Sequence, residues 1–259
     1  MKKSALIILI LVAALAAAAF LTAAVLGAGK KSSPYISDSR VLLDTTCAIR
    51  LYDNQDPEVL SEAFDLIARY ESLWSPSIPT SDVSRVNAAG GAPVEVDPET
   101  VAILKRAVKY SELSGGVFDV TIGALTDLWD VLGEDHRVPG PAEIEEARRT
   151  VDYRSITLGE NTVALKNPGA RLDFGGIAKG YIADRVRDLL VSRGVKSAII
   201  NLGGNVLVVG SRPDGEPWTV GIQAPFETEG RYIGTVRVRD KSVVTSGIYR
   251  RYFILDGVL

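Results

Sequence analysis

The chain predicts a mixed α/β (α+β) domain in which helices flank mixed sheets, and three observations point there. Two stretches open on Asp-Pro and continue with apolar residues at helical spacing. The C-terminal third is rich in β-branched runs separated by turn residues. A glycine-rich passage, LDFGGIAKGY (172–181), lies where a strand gives way to a helix. Apolar residues make up 46% of the 259 and charged ones 24%, which suits one globular unit with a sizeable core.

The elements follow in chain order. After Met-Lys-Lys comes an uncharged run from Ser4 to Gly29, then Lys30-Lys31. As a helix rising about 1.5 Å per residue it would span roughly 39 Å, more than the ~30 Å hydrocarbon core of a bilayer. The apolar core of a secretory signal is shorter, about 7–15 residues. Residues 1–31 are therefore expected to be an uncleaved transmembrane helix that anchors the domain on the extracytoplasmic side of the cell membrane. The alternative is a cleaved signal that leaves a secreted or periplasmic domain. Residues 32–39 read as a polar linker and 40–259 as the domain.

Within that domain, VLLDTTCAIRLY (41–52) has strand character. Asp56-Pro57 supplies a cap and first-turn proline for a helix carrying Val59, Leu60, Ala63, Phe64, Ile67 and Ala68. The following SPSIPTSDVSRVNAAGG is irregular, with one helical turn at SDVSR. Asp97-Pro98 opens a second helix through Val101, Leu104, Ala107 and Val108, stopped by Gly115-Gly116. PAEIEEARRT is a short helix whose acids come first, and SITLGENTVALK is a hairpin around Gly159-Glu160-Asn161. IADRVRDLLVSRG places Ile182, Val186, Leu189 and Leu190 on one helical side. SAIINLGGNVLVVG, EPWTVGIQAP, RYIGTVRVRD and KSVVTSGIYRRYFIL are strand-like. Asp256-Gly257 signals a tight hairpin turn with only Val258-Leu259 after it, so the chain is expected to be cut short relative to the fold it encodes.

Composition excludes several classes. Net charge is −3, with 29 basic and 32 acidic residues interspersed, so no basic footprint for nucleic acid exists. The lone Cys47 rules out an internal disulfide or a multi-cysteine metal site. The lone His136, in the polar run GEDHRVPG, reads as an exposed loop residue rather than part of a histidine cage.

The glycine passage is where chemistry is expected. Gly175 and Gly176 fall at a helix start, where backbone N–H groups lack intrahelical partners and attract an anion that Lys179 could reach. The passage is neither a Walker loop nor a dinucleotide fingerprint, because the glycine spacing fits neither. NLGGNVLVVG is a second glycine loop that leads into a strand, and GGVFD and TSG are shorter ones.

Taken in order, SDVSRVNAAGG, SELSGGVFD, LDFGGIAKGY, INLGGN and TSGIYRRYF resemble the ApbE family, the FAD:protein FMN transferases, from about Val41 to the last residues. That resemblance implies a flavin enzyme that splits the FAD pyrophosphate and attaches FMN to a Thr or Ser of an acceptor protein, with Mg²⁺. It implies FAD contacts from Leu43, in LDT where the family typically has Met-Gly-Thr, and from Val117, Phe118, Asp119, Asp173 and Lys179. The Gly176 carbonyl would be a metal ligand. An aromatic residue flanking the flavin should fall near Trp74 to Ser77, with Trp74 the available candidate. In the family, further metal ligands follow the RYF stretch, beyond Leu259. The alternative is accordingly a non-catalytic FAD-binding protein or an inactive fragment. By its residue type alone, Asp173 also reads as a helix-capping carboxylate.

Overall fold

A computed structural model describes residues 34–257 apart from 132, 134, 135, 229, 248–251 and 256. The anchor expected over residues 1–31 and the turn expected at Asp256 lie outside the described residues. Among the described residues no helix is long and apolar enough to cross a membrane.

The chain opens with a hairpin. Strand β1 (Ile36–Leu42) pairs antiparallel with β2 (Thr45–Leu51) across a two-residue turn at Leu43-Asp44. Both turn residues adopt left-handed backbone, at φ 55° and 53°, the conformation that a tight hairpin requires and that glycine or asparagine usually supplies. The expected linker therefore gives way to strand at Ile36, earlier than residue 40, because residues 36–42 pair along the whole of β2.

Helix α1 (Pro57–Trp74) follows, with the Asp56 carboxylate accepting from the Glu58 amide at 2.9 Å. Helix α2 (Asp82–Ala88), capped by Ser81, is longer than the single turn expected at SDVSR. After the two-residue β3 (Val94–Glu95) comes α3 (Pro98–Leu113), capped by Asp97. It ends at Gly115-Gly116, where the Gly116 amide donates to the Ser111 carbonyl at 2.8 Å. Helix α4 (Gly123–Trp129) has no counterpart among the sequence expectations. Helix α5 (Pro141–Arg148) precedes the hairpin of β4 (Ile156–Leu158) and β5 (Thr162–Leu165). The glycine passage then leads into α6 (Ala178–Ser192).

The C-terminal strands are β6 (Ser197–Leu202), β7 (Asn205–Gly210), β8 (Trp218–Gln223), β9 (Tyr232–Val238) and β10 (Ser242–Val244). They complete a five-stranded sheet in the order β1-β2-β6-β7-β10, beside a three-stranded β3-β5-β4 sheet and a β8-β9 ribbon. All the strand ladders are antiparallel, so the expectation of mixed sheets is corrected. Hairpin connections make four of those pairings, and hairpins can only be antiparallel. Tyr252–Ile254, expected to be strand, carry no strand assignment.

The core lies between the five-stranded sheet and helices α1 and α6. Ile49, Leu51, Ile200 and Leu202 of the sheet are fully buried with Phe64 and Ile67 of α1 and Ile182 and Leu190 of α6. Cys47 belongs to this core, and burial pushes its thiol from 9.0 up to about 11, only partly offset by the Lys179 ammonium nearby. A group whose folded pKa is raised stabilises the fold below its unfolded pKa, and that stabilisation is lost as pH climbs towards the folded value. Stability should therefore fall between pH 9 and about 11, and Cys47→Ala should flatten that alkaline limb. Urea melts at about pH 8 and about pH 10.5 check this: equal slopes in the two proteins would show that the thiol contributes nothing.

Candidate functional site

The site is assembled by two segments that the strand ladders leave out. Residues 119–123 lie alongside 171–173: the Asp173 amide donates to the Val120 carbonyl at 2.9 Å, and the Gly123 amide to the Arg171 carbonyl at 2.9 Å. Ile122 and Arg171 form a parallel bridge there. Gly123 is needed at this approach, since a Cβ on it would lie 2.6 Å from the Arg171 carbonyl oxygen. From the other side, Asn87 of α2 clamps Leu172, accepting from its amide at 2.7 Å and donating to its carbonyl at 3.1 Å.

This pairing brings the GGVFD turn against the glycine passage. Phe118 meets Gly176 so closely that a Cβ on the glycine would lie 3.0 Å from the Phe118 ring edge. Both line a cleft of about 650 Å³ with Arg106, Tyr110, Tyr181 and Asn205. On the other side of the α6 start, a second cleft of about 740 Å³ is lined by Asp44, Thr45, Lys179, Asn201 and the Gly203-Gly204 turn. Consecutive residues separate the two: Lys179 faces one and Gly180 the other, while β10 gives Ser242 and Val244 to the first and Val243 to the second.

The amides at this helix start are divided. Gly175 donates to the Asp173 carboxylate at 2.6 Å, so it is not the outward-facing donor expected from the sequence. The amides of Ile177 and Ala178 both donate to the Phe174 carbonyl. Gly176 and Gly180 have no protein partner for their amides among the described residues, and no side chain caps α6. The open donors at this helix start are thus Gly176 and Gly180, with Asp173 acting as the capping carboxylate of the loop. The other Asp173 oxygen accepts from Thr126 Oγ1 of α4 at 2.8 Å.

The remaining expected residues take distinct places. Leu43 sits in the β1–β2 turn, its amide donating to Glu71 at 2.6 Å, next to the cleft that Asp44 and Lys179 line. Val117 is on the crest of the glycine turn and 91% exposed. Asp119 is buried, with one carboxylate oxygen accepting from the Thr121 amide and hydroxyl at 2.8 and 2.7 Å and the other from the Tyr153 amide at 2.9 Å. Its side chain braces the turn rather than lining either cleft. Trp74 is a core residue and not a flavin wall: it stacks on Tyr70 and donates from Nε1 to Thr100 at 2.9 Å. Arg106, Thr126 and Asn205 went unassigned in the sequence. Asn205 was within reach, since it closes the quoted INLGGN motif.

These features define a mixed α/β protein with an uncapped, glycine-rich helix start between two clefts. The profile of the ApbE family matches residues 43–258, and the chain belongs to that family. It is 40% identical over 224 residues to the FAD:protein FMN transferase of Klebsiella pneumoniae, covering 85% of this chain and 69% of that protein. The FAD:protein FMN transferase of Treponema pallidum is 36% identical over 242 residues, covering 86% and 67%. Among solved structures, the ApbE protein of Thermotoga maritima superposes with a TM-score of 0.80 at 32% identity, over 86% of this chain and 74% of that one. The flavin transferase ApbE of Vibrio cholerae gives 0.74 at 26% identity, over 85% and 74%.

The backbone pairing of 119–123 with 171–173 sets the clefts, so it can be tested directly. Gly123→Ala should cost about 1–3 kcal/mol in urea unfolding, because the new methyl has nowhere to go but into the Arg171 carbonyl. Unchanged stability would mean that the two segments separate easily.

Proposed function

We propose that this chain transfers FMN from FAD to a Ser or Thr hydroxyl of an acceptor protein, in a Mg²⁺-dependent reaction. One observation carries the reading: the open amides of Gly176 and Gly180, beside Lys179, lie between two clefts. A diphosphate joining two ring systems is the ligand that such a site suits. Its FAD-specific form comes from the family and from the activity named for the Klebsiella and Treponema relatives.

The chain's own residues would act on the diphosphate. The Gly176 and Gly180 amides hold non-bridging phosphate oxygens, and Lys179 adds positive charge where negative charge grows in the transition state. Phe118 forms an apolar wall beside the diphosphate. The acceptor oxygen forms a bond to the FMN phosphorus while the phosphorus–oxygen bond to AMP breaks. The hydroxyl proton leaves to solvent or to AMP.

A metal fits this site in a limited way. The Gly176 carbonyl accepts no hydrogen bond from the described residues and is available as an oxygen ligand. No group of three His, Cys, Asp or Glu side chains gathers for a metal among the described residues. The carbonyl would give Mg²⁺ one oxygen ligand, and the ion otherwise takes one or two carboxylates, waters and substrate phosphates. When bound, Mg²⁺ would neutralise charge on the phosphate oxygens.

We place the domain at the cell membrane, on its extracytoplasmic side, on the strength of the apolar run from Ser4 to Gly29, which is long enough to span a bilayer and precedes the domain.

The test uses an acceptor domain first shown to be flavinylated by the Klebsiella relative. The chain, FAD and Mg²⁺ should render that acceptor fluorescent on a denaturing gel, and a chelator should abolish the signal. Lys179→Ala should lower the rate on the order of 100-fold, the usual scale for losing one stabilising group. FAD binding without any acceptor labelling would instead support a flavin-binding protein that lacks transferase activity.

A further inference from the structure

Asn205 opens β7 directly after the Gly203-Gly204 turn and is only 9% exposed. Its Oδ1 is buried and has no hydrogen-bond partner, and no described residue bonds to its Nδ2. A buried carboxamide left unpaired costs about 1–3 kcal/mol, so the group needs a partner that the described protein does not supply. The cleft beside Phe118 is where that partner can come from. Asn205 lines it, and its Nδ2 lies 3.9 Å from where a Cβ on Gly180 would stand, next to an open amide.

Rotating the carboxamide exchanges Oδ1 and Nδ2, so either can be turned towards the cleft. Side by side, the two offer one acceptor and one donor, a pair that matches an N–H next to a ring nitrogen or a carbonyl. Both ends of a flavin dinucleotide carry that pattern: the adenine amine with its adjacent ring nitrogen, and the flavin imide with its flanking carbonyls. Asparagine reads adenine bidentately in other settings for the same reason. The rest of the cleft suits a flat ring: Phe118, Tyr110, Leu113, Ile177 and Val244 supply apolar walls, and its ~650 Å³ is ample.

We propose that Asn205 is a specificity-determining residue that reads the hydrogen-bonding edge of one ring of the dinucleotide, while the diphosphate lies on the Gly176 and Gly180 amides. This rests on the FAD reading above. It adds a residue and a recognition mode: the Asn205 amide selects for a heterocycle presenting adjacent donor and acceptor.

The experiment is calorimetric titration of the full chain and its Asn205→Leu variant with FAD, ADP and FMN. The variant should bind FAD about tenfold more weakly, the low end of what a bidentate amide pair discriminates. Only one of ADP and FMN should weaken with it, and that one names the ring. Two further ligands question the unmodified chain, so the answer does not depend on the variant folding. If adenine is read, purine riboside 5′-diphosphate, which lacks the exocyclic amine, should bind about tenfold more weakly than ADP. If flavin is read, FMN methylated at the imide nitrogen should show the same loss.

A folded Asn205→Leu variant that binds FAD within about twofold of the unmodified chain overturns the proposal and leaves the FAD reading intact. So does equal affinity of the unmodified chain for both ligands of each pair. Failure of the unmodified chain to bind FAD at all overturns the FAD reading, and this proposal with it.

Discussion

The arrangement of the site depends on one buried carboxylate. Asp119 satisfies three donors, the Thr121 amide, the Thr121 hydroxyl and the Tyr153 amide, and the same Thr121 hydroxyl accepts from the Asp152 amide at 2.9 Å. A charge taken out of water is tolerated only when it is hydrogen-bonded this fully. In return it fixes the backbone that follows the Gly115-Gly116 turn. With residues 119–121 held, Val120 presents its carbonyl to Asp173 and Phe118 is delivered to Gly176. The resemblance implies Asp119 in the cofactor site; in the structure its carboxylate lines neither cleft and holds the backbone beside them.

The helix starts show how a capping decision leaves backbone amides open. Helices α1, α2 and α3 each begin with a side chain, Asp56, Ser81 or Asp97, that accepts from a first-turn amide. Helix α6 has none, and its capping carboxylate sits earlier, at Asp173, where it serves Gly175 instead. Thr126 holds the far oxygen of Asp173, so that carboxylate is not free to swing onto the next amides. The result is a loop whose first glycine is satisfied by the protein and whose later ones, Gly176 and Gly180, are left for a ligand. Lys179 lies between them in sequence, and its charge is strong enough nearby to be felt by the buried Cys47 thiol.

Much of the fold was legible because its signals are local. Asp-Pro at residues 56–57 and 97–98 fixed two helix starts, and Gly159-Glu160-Asn161 fixed a hairpin, since caps and turns depend on residues a few positions apart. The site was legible through the glycine motifs, but its division of labour was not. Whether Gly175 or Gly176 offers an open amide depends on where Asp173 points, and that depends on Thr126, 47 positions away. Helix α4 escaped notice because it is short and its N-cap, Ile122, carries no capping side chain. Trp74 misled for a related reason: an aromatic at the end of an amphipathic helix suits a core or a ligand equally until Tyr70 and Thr100 are seen to occupy it. The Leu43-Asp44 turn lacks the Asn-Gly signature of a tight hairpin, so the sequence alone leaves residues 36–39 of β1 in the linker and runs 41–52 together as one strand.

The placement of the two clefts follows from the simplest periodicity in the chain. Strand β10 exposes alternate residues to opposite faces, so Ser242 and Val244 serve one cleft while Val243 serves the other. At the start of α6 adjacent residues point about 100° apart, and Lys179 and Gly180 divide in the same way. A ligand with a charged middle and two flat ends would, under the proposed function, span this edge with its charge on the helix start and a ring on either side. The two ends meet different chemistry. One cleft is walled by Phe118, Leu113, Ile177 and Val244 around a buried amide; the other is lined by Lys179, Asp44, Thr45 and Asn201. Under the proposed function that asymmetry would give a diphosphate a direction, and an enzyme that must expose one of two phosphorus atoms to an incoming hydroxyl needs a direction more than it needs tight binding.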